Sequence, residues 1–326
     1  MGLGSLITGF CTSQAIYALV KLGIPDLLAN GPMSSDDLAH SIGAHPQFVR
    51  RLLRALATVG VVRHLDDDTF DLSENGAQLR SGVPRSYAAF ALFFGGEVYR
   101  AFGELTHTIR TGESSFETVF GMHFFDYLAR NEEYETIFHA LMRSGSEESQ
   151  DPTELYDFTS HRIVVDVGGS HGAELARLLT RHAHLRGILL DLPYVAEQAR
   201  EYFAAKGLAE RTEVRSGDFF EAVPKGGDLY LLSSIIHDWD DERSVLILQN
   251  CRRAISADGT LLLIEAVAPA GSETSPVALR DLMLMSMGGV ERTETEYREL
   301  LGTAGFELVQ IVGDRDQAAL LQARPI

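Results

Sequence analysis

Cysteine, lysine and tryptophan are scarce in this 326-residue chain, which has two cysteines, three lysines beside 25 arginines, and one tryptophan. Cys11 and Cys251 allow no disulfide framework, which excludes the small scaffolds that depend on one and fits a reducing cytoplasm. The shortage of lysine reads as the codon bias of a GC-rich bacterial genome and carries no mechanism. No run of 18 apolar residues occurs, so no transmembrane helix is expected. The start, MGLGSLITGF, lacks the basic opening and small-residue cleavage site of a secretory signal. Positive charge is short as well, 28 Lys+Arg against 46 Asp+Glu, for a net −18. A field of that sign repels nucleic acid and anionic membrane, so neither is an expected partner. Apolar residues, at 45%, are ample for a core and exclude disorder as the main state. At about 150 residues per domain, the length implies two domains.

Residues 3–30 read as helical, with Leu3, Leu6, Ile7, Phe10, Ala15, Leu19 and Leu22 at three- and four-residue steps. The segment is apolar on more than one side, as expected of a helix buried by a second subunit. Over 33–75, Ser34 or Ser35 caps a short helix that ends at Gly43. A second helix follows, HPQFVRRLLRALATVG, with Val49, Leu52, Leu53, Leu56 and Val59 on one face. VVRHL, the turn Asp66-Asp67-Asp68 and TFDLS then make a hairpin, so the whole reads as a winged helix. Residues 84–150 are helical and rich in aromatics, most of them core and some free to line a pocket for a flat ligand. From about residue 155 the rhythm changes. RIVVDVGG, GILLDL, TEVRSGD, LYLLSSII and GTLLLIEAV alternate with helical stretches, and the chain ends in two strands around a turn. That alternation predicts a doubly wound, mostly parallel α/β sheet.

Two stretches carry the chemistry. DVGGSHG follows a strand and opens a helix, where Gly168 and Gly169 let the backbone approach a ligand. Asp191 ends the next strand, where a carboxylate accepts the ribose hydroxyls of a nucleoside. Asp218 and Phe219 follow the third strand, a polar group and a ring suited to adenine. A glycine loop alone is also an ordinary tight turn and serves NAD, FAD or S-adenosylmethionine equally. Without a second glycine loop after residue 230, a single nucleoside such as S-adenosylmethionine is favoured. The second stretch, SSIIHDWDDE, sets His237 between the fourth strand and the next helix. A neutral imidazole takes a proton from a hydroxyl, and Glu265 and Glu291 stand where a carboxylate would fix its tautomer. Adjacent residues of one turn rarely converge on an ion, so no metal is expected.

Together these residues resemble the S-adenosylmethionine-dependent small-molecule O-methyltransferases of the plant caffeate and flavonoid type and their bacterial natural-product relatives. The resemblance runs through SQAIYALVKLGIPDLLANGP, RRLLRALATVGV, DVGGSHG, DLP, GDFF, IIHDWDDE and GGVERTETEYRELLGTAGF. It implies a Rossmann-like methyltransferase sheet behind an N-terminal winged-helix dimerisation domain. The expected division is 1–90 for dimerisation, 91–154 enclosing the acceptor and 155–326 binding S-adenosylmethionine. It implies His237 as base, flanked by Glu265 and Glu291. It implies cofactor contacts at Gly168, Gly169, Asp191, Leu192, Asp218, Phe219, Ser233 and Trp239, and acceptor contacts at Phe138, Met142, Asp238, Met283 and Met287. Ser170 replaces the family's usual third glycine, and the stretch from Asp281 to Glu291 is shorter than in plant members.

The expected activity is methylation of an aromatic hydroxyl by a cytoplasmic homodimer. The alternatives are N- or C-methylation, or a cofactor-assisted reaction without methyl transfer. A DNA-binding regulator is a distant alternative, because residues 33–75 hold four arginines against seven acids.

Overall fold

The computed structural model describes residues 2–84, 86–145, 152–271 and 273–326, which fall into two compact units, 1–106 with 118–148 and 107–117 with 149–326.

In the first unit the start is broken by turns into α1 (Leu3–Ile7), α2 (Gly9–Lys21) and α3 (Ile24–Leu28). After β1 (Met33–Ser34), the Ser34 hydroxyl accepts the Asp37 N–H at 3.1 Å and caps α4 (Ser35–Ile42). Next come α5 (Pro46–Thr58), β2 (Val62–His64), β3 (Thr69–Leu72) and α6 (Glu74–Ala77). The predicted hairpin is β2–β3, and β1 adds a third, two-residue strand through Met33↔Phe70, too short to leave a period in the sequence. Leu19, Ile24, Leu38, Leu53, Leu56 and Phe70 form the core. Val59, expected on the buried face of the second helix, is exposed because α5 stops at Thr58.

The helices α7 (Ala88–Gly95), α8 (Glu97–Phe102), α9 (Leu105–Thr111), α10 (Ser115–Phe120), α11 (Phe124–Leu128) and α12 (Glu132–Gly145) follow. Phe93 and Tyr134 stack at 5.3 Å between centroids, and Phe138 packs on Phe93 and Phe124 at 5.8 and 5.6 Å.

The helical stretch Leu3–Lys21 is long and apolar enough to cross a membrane by length and composition, and only 6% of it is buried. Scattered polar residues such as Ser5, Thr8 and Ser13 interrupt every unbroken apolar run, which is why counting consecutive residues missed it.

The second unit is the α/β sheet. Its elements are β4 (Ile163–Val167), α13 (Ala173–Arg181), β5 (Arg186–Asp191), α14 (Pro193–Ala205), β6 (Thr212–Ser216), β7 (Leu229–Ser233), α15 (Asp241–Ala254), β8 (Thr260–Glu265), α16 (Val277–Met287), α17 (Glu294–Thr303), β9 (Phe306–Asp314) and β10 (Ala318–Pro325). The strand order is β6-β5-β4-β7-β8-β10-β9. The first five strands are parallel and β10 is antiparallel to both its neighbours. Covered on both faces, β7 and β8 are runs of buried leucine rather than alternating patterns. The chain winds outward from β4 to β6, then returns to place β7 beside β4. That reversal opens a crevice at the carboxyl ends of β4 and β7, where ligands of such sheets bind.

Candidate active site

The loop after β4 begins with Gly168 at φ +73°, a left-handed conformation that side chains resist. A Cβ there would lie 2.6 Å from Ile235 Cδ1 and 3.4 Å from Phe219. Ser170, in the place of a glycine, also holds a positive φ of 53°. Its N–H donates to Asp191 Oδ2 at 2.7 Å, while the Leu192 N–H donates to Oδ1 at 2.7 Å. Burial pushes the Asp191 carboxyl up to about 6, and those two amides hold it back. A carboxylate has about four lone-pair sites, so two amides leave room for a pair of hydroxyls. Asp218 Oδ1 accepts the Phe220 N–H at 2.8 Å, and Asn250 Nδ2 donates to the carbonyls of Phe219 and Phe220. Trp239 is buried edge-on against Phe220 at 4.7 Å and Phe219 at 6.1 Å, with Arg243 over its ring.

Carboxylate, glycine loop and rings at one crevice fit a nucleoside with a vicinal diol. Gly168→Val is expected to destabilise the fold by about 1–3 kcal/mol through backbone strain. It is also expected to abolish nucleoside binding, as read by thermal denaturation and calorimetric titration with S-adenosylhomocysteine.

The turn that carries His237 lies one strand further along. β7 ends at Ser233, Ser234 turns with φ +53°, and Ile236–Asp238 form a single 3-10 turn. Asp240 then caps α15 by accepting the Arg243 N–H at 2.8 Å. The His237 side chain is 18% exposed. Its Nδ1 lies 3.5 Å from Glu265 Oε2 and 3.6 Å from Glu291 Oε1, and its Nε2 lies 3.5 Å from Asp238 Oδ1.

Each acid is fixed by the backbone. Glu265 ends β8, and its Oε1 accepts the N–H groups of Ile235 and Ile236 at 3.0 and 2.7 Å. Its Oε2 accepts no hydrogen bond and faces the imidazole. Glu291 sits between Gly288, the left-handed C-cap of α16, and Thr293, whose capping box with Glu296 starts α17. Its N–H donates to Asp281 Oδ1 at 2.8 Å, and its Oε1 accepts Arg280 Nε at 2.6 Å. Gly289 passes so close to the turn that a Cβ would lie 2.4 Å from the His237 carbonyl oxygen.

These charges set the proton affinities. Burial lowers that of His237, but Glu265, Asp238 and Glu291 outweigh it and hold the imidazole up at about 10. Burial raises the carboxyls of Glu265 to about 7 and Asp238 to about 6, each opposed by His237. Burial also opposes ionisation of Glu291, but His237 and Arg280 prevail and lower it.

The structure therefore joins His237, Asp238, Glu265 and Glu291, and it brings Gly168, Gly169, Asp191, Leu192, Asp218, Phe219, Ser233 and Trp239 to the carboxyl-end loops of one sheet. Met283 and Met287 are half-buried on α16 of the same unit. Phe138 and Met142 belong to the other unit, Phe138 inside its aromatic cluster. Sequence reasoning missed Arg280, Asn250 and Arg292. The nearest available signal was Ser244, a polar residue within the apolar stripe Ile247, Leu248, Cys251 of α15.

A model described as O-methyltransferase domain matches residues 102–307, and one described as O-methyltransferase dimerisation domain matches 5–79. The chain is 38% identical to the phenazine O-methyltransferase PhzM of Lysobacter antibioticus, over 98% of this chain and 95% of that one. It is 36% identical to the 8-amino-8-demethylriboflavin N,N-dimethyltransferase of Streptomyces davaonensis, over 95% and 90%. Among solved structures, an O-methyltransferase of neocarzinostatin biosynthesis in complex with S-adenosylmethionine and 2-hydroxy-5-methyl naphthoic acid superposes with a TM-score of 0.88 at 32% identity, over 97% and 96%. Agreement of this extent, in sequence and in fold, places the chain in the S-adenosylmethionine-dependent O-methyltransferase family.

Proposed function

We propose that this chain transfers a methyl group from S-adenosylmethionine to a hydroxyl of an aromatic small molecule in bacterial secondary metabolism, with His237 as general base. The observation that carries the reading is the imidazole held with Nδ1 toward Glu265 and Glu291, so that Nε2, 3.5 Å from Asp238 Oδ1, is the nitrogen that would meet the acceptor. A phenol titrates near 10 and an ordinary histidine near about 6.5, so proton transfer between them is uphill. The three surrounding carboxylates remove that mismatch by bringing the imidazole to about 10. The bound cofactor supplies an electrophilic methyl group on a cationic sulfur. The chain's own residues orient the acceptor, take its proton at Nε2 and stabilise the resulting imidazolium.

In this reading Gly168, Gly169, Asp191, Leu192, Asp218, Phe219, Ser233 and Trp239 hold the cofactor, and Phe138, Met142, Asp238, Met283 and Met287 line the acceptor. Rings and pliable thioethers in that set suit a flat, apolar molecule. The segment 91–154 encloses the acceptor, between a dimerising 1–90 and a cofactor-binding 155–326. The test is incubation with radiolabelled S-adenosylmethionine and a panel of hydroxylated aromatics, followed by NMR of the product. Label on oxygen supports the proposal, and no transfer to any hydroxyl while amines accept it overturns it. Nitrogen methylation is the second reading, favoured by the resemblance to the riboflavin-analogue N,N-dimethyltransferase.

The enzyme is further proposed to work as a cytoplasmic homodimer closed by the N-terminal helices. Leu6 is 62% and Phe10 52% exposed within a segment matched as a dimerisation domain. The double substitution Leu6→Glu, Phe10→Glu is expected to yield monomers in sedimentation velocity. A dimer of unchanged affinity would place the interface elsewhere.

A further inference from the structure

Arg292 is the largest fully buried side chain of the described residues, 1% exposed, and no role in the proposed chemistry falls to it so far. A guanidinium removed from water needs nearly all of its donors satisfied, or its burial costs several kcal/mol. Here the donors go to one place. Nη1 donates to the Ile236 carbonyl at 3.0 Å, and Nη2 donates to the Trp239 carbonyl at 2.8 Å. These carbonyls bracket His237 and Asp238. Nε and Nη2 reach Asp241 Oδ1 at 2.9 and 2.8 Å, and Nη2 reaches Ser244 Oγ at 3.3 Å. Asp241 is 80% exposed, so solvent screens that ion pair, and the bonds to the carbonyls dominate.

The same turn is held at its other polar groups. The Ser244 hydroxyl donates toward the Ile236 and Trp239 carbonyls, and the Val290 N–H donates to the His237 carbonyl at 2.8 Å. Glu265 takes the amides of Ile235 and Ile236 from the opposite side. The loop from Gly289 to Arg292 therefore performs two tasks with consecutive residues. Glu291 faces Nδ1 of the base, and Arg292 grips the backbone that carries the base. The Arg292 carbonyl is itself tied to the Ala268 N–H at 2.9 Å, just beyond β8 and Glu265.

We infer that Arg292 is a positioning residue for methyl transfer, a buried guanidinium clamp that fixes the turn bearing His237 against Glu265 and Glu291. The inference rests on His237 acting as the base. Displacing a catalytic group by about 1 Å costs on the order of 100-fold in rate, and loosening the turn is expected to do the same.

The test compares Arg292→Met and Arg292→Lys with the unaltered enzyme. Arg292→Met is expected to lose about 100-fold in kcat, with acceptor KM and S-adenosylhomocysteine affinity little changed. Arg292→Lys keeps the charge and one carbonyl bond and is expected to recover part of the loss. In both variants the acid limb of the kcat/KM profile should move toward an ordinary histidine value, because the imidazole drifts from Glu265, Asp238 and Glu291. A purely structural role would lower activity equally at every pH and leave the limb in place, and that result overturns the clamp. If Arg292→Met fails to fold, the limb of Arg292→Lys decides alone. Full activity in His237→Ala would sink the base assignment, whereas inactive His237→Ala beside fully active Arg292 variants would sink the clamp only.

Discussion

Replacing His237 by alanine is expected to lower turnover by a factor on the order of 10² to 10⁴, the range that a positioned general base supplies. Binding of S-adenosylhomocysteine should persist, because the glycine loop and Asp191 that would hold it belong to β4 and β5 and share no hydrogen bond with the imidazole. Single-turnover kinetics with calorimetric titration separates the two effects. Lost affinity with intact chemistry would assign His237 to binding, and near-normal turnover would remove it from the mechanism. The truncation leaves Glu265, Glu291 and Asp238 facing a void without their shared cation. Their like-charge repulsion then favours uptake of a proton by one of them.

The unaltered enzyme's pH dependence follows from the same cluster. Three carboxylates raise the imidazole to about 10, so in the free enzyme it is charged at neutral pH and cannot accept a proton. The imidazolium declines as pH rises through that value, so kcat/KM should climb on the alkaline side of the usual histidine range. A cation bound nearby disfavours a second positive charge, so the limb in kcat should lie below the limb in kcat/KM. An acid limb near about 6.5 in both profiles would show that the carboxylates do not govern the base.

The parts of this site that were legible in the sequence share one property: local chemistry announces them. Strands β7 and β8 are apolar because both faces are covered, Gly168 marks a left-handed turn, and His237 lies in the short turn between β7 and α15. Arg292 had no such mark. An arginine beside a glutamate reads as a solvated pair, and only the fold reveals that its donors meet carbonyls some 50 residues earlier in the chain. Asn250 was hidden likewise, because its two carbonyl partners lie in a loop 30 residues away. At the N-terminus the difficulty was different. A helix with small polar residues between its apolar ones defeats a count of consecutive residues, although its three-dimensional face is almost wholly uncovered.

Glu265→Gln should be nearly as damaging as loss of the base, and for a reason its two oxygens make specific. Oε1 accepts two backbone amides, from Ile235 and Ile236, and the glutamine carbonyl can keep both bonds. The amide nitrogen then replaces Oε2, 3.5 Å from His237 Nδ1, so a donor faces the nitrogen that must itself carry a proton. The imidazole answers by adopting the other tautomer, which puts its proton on Nε2, the nitrogen needed by the acceptor. Exchanging a tautomer-fixing carboxylate for its amide costs about 10⁴-fold in another enzyme with a histidine base. A loss of 10²- to 10⁴-fold is expected here, the lower end applying if Glu291 retains Nδ1. Because the amide-binding oxygen survives, the melting temperature should fall little, whereas Glu265→Ala would lose both the turn's anchor and the base's partner. A glutamine variant that melts normally and turns over slowly separates the electrostatic task from the structural one. Normal turnover in the same variant would transfer the tautomer-fixing role to Glu291 alone.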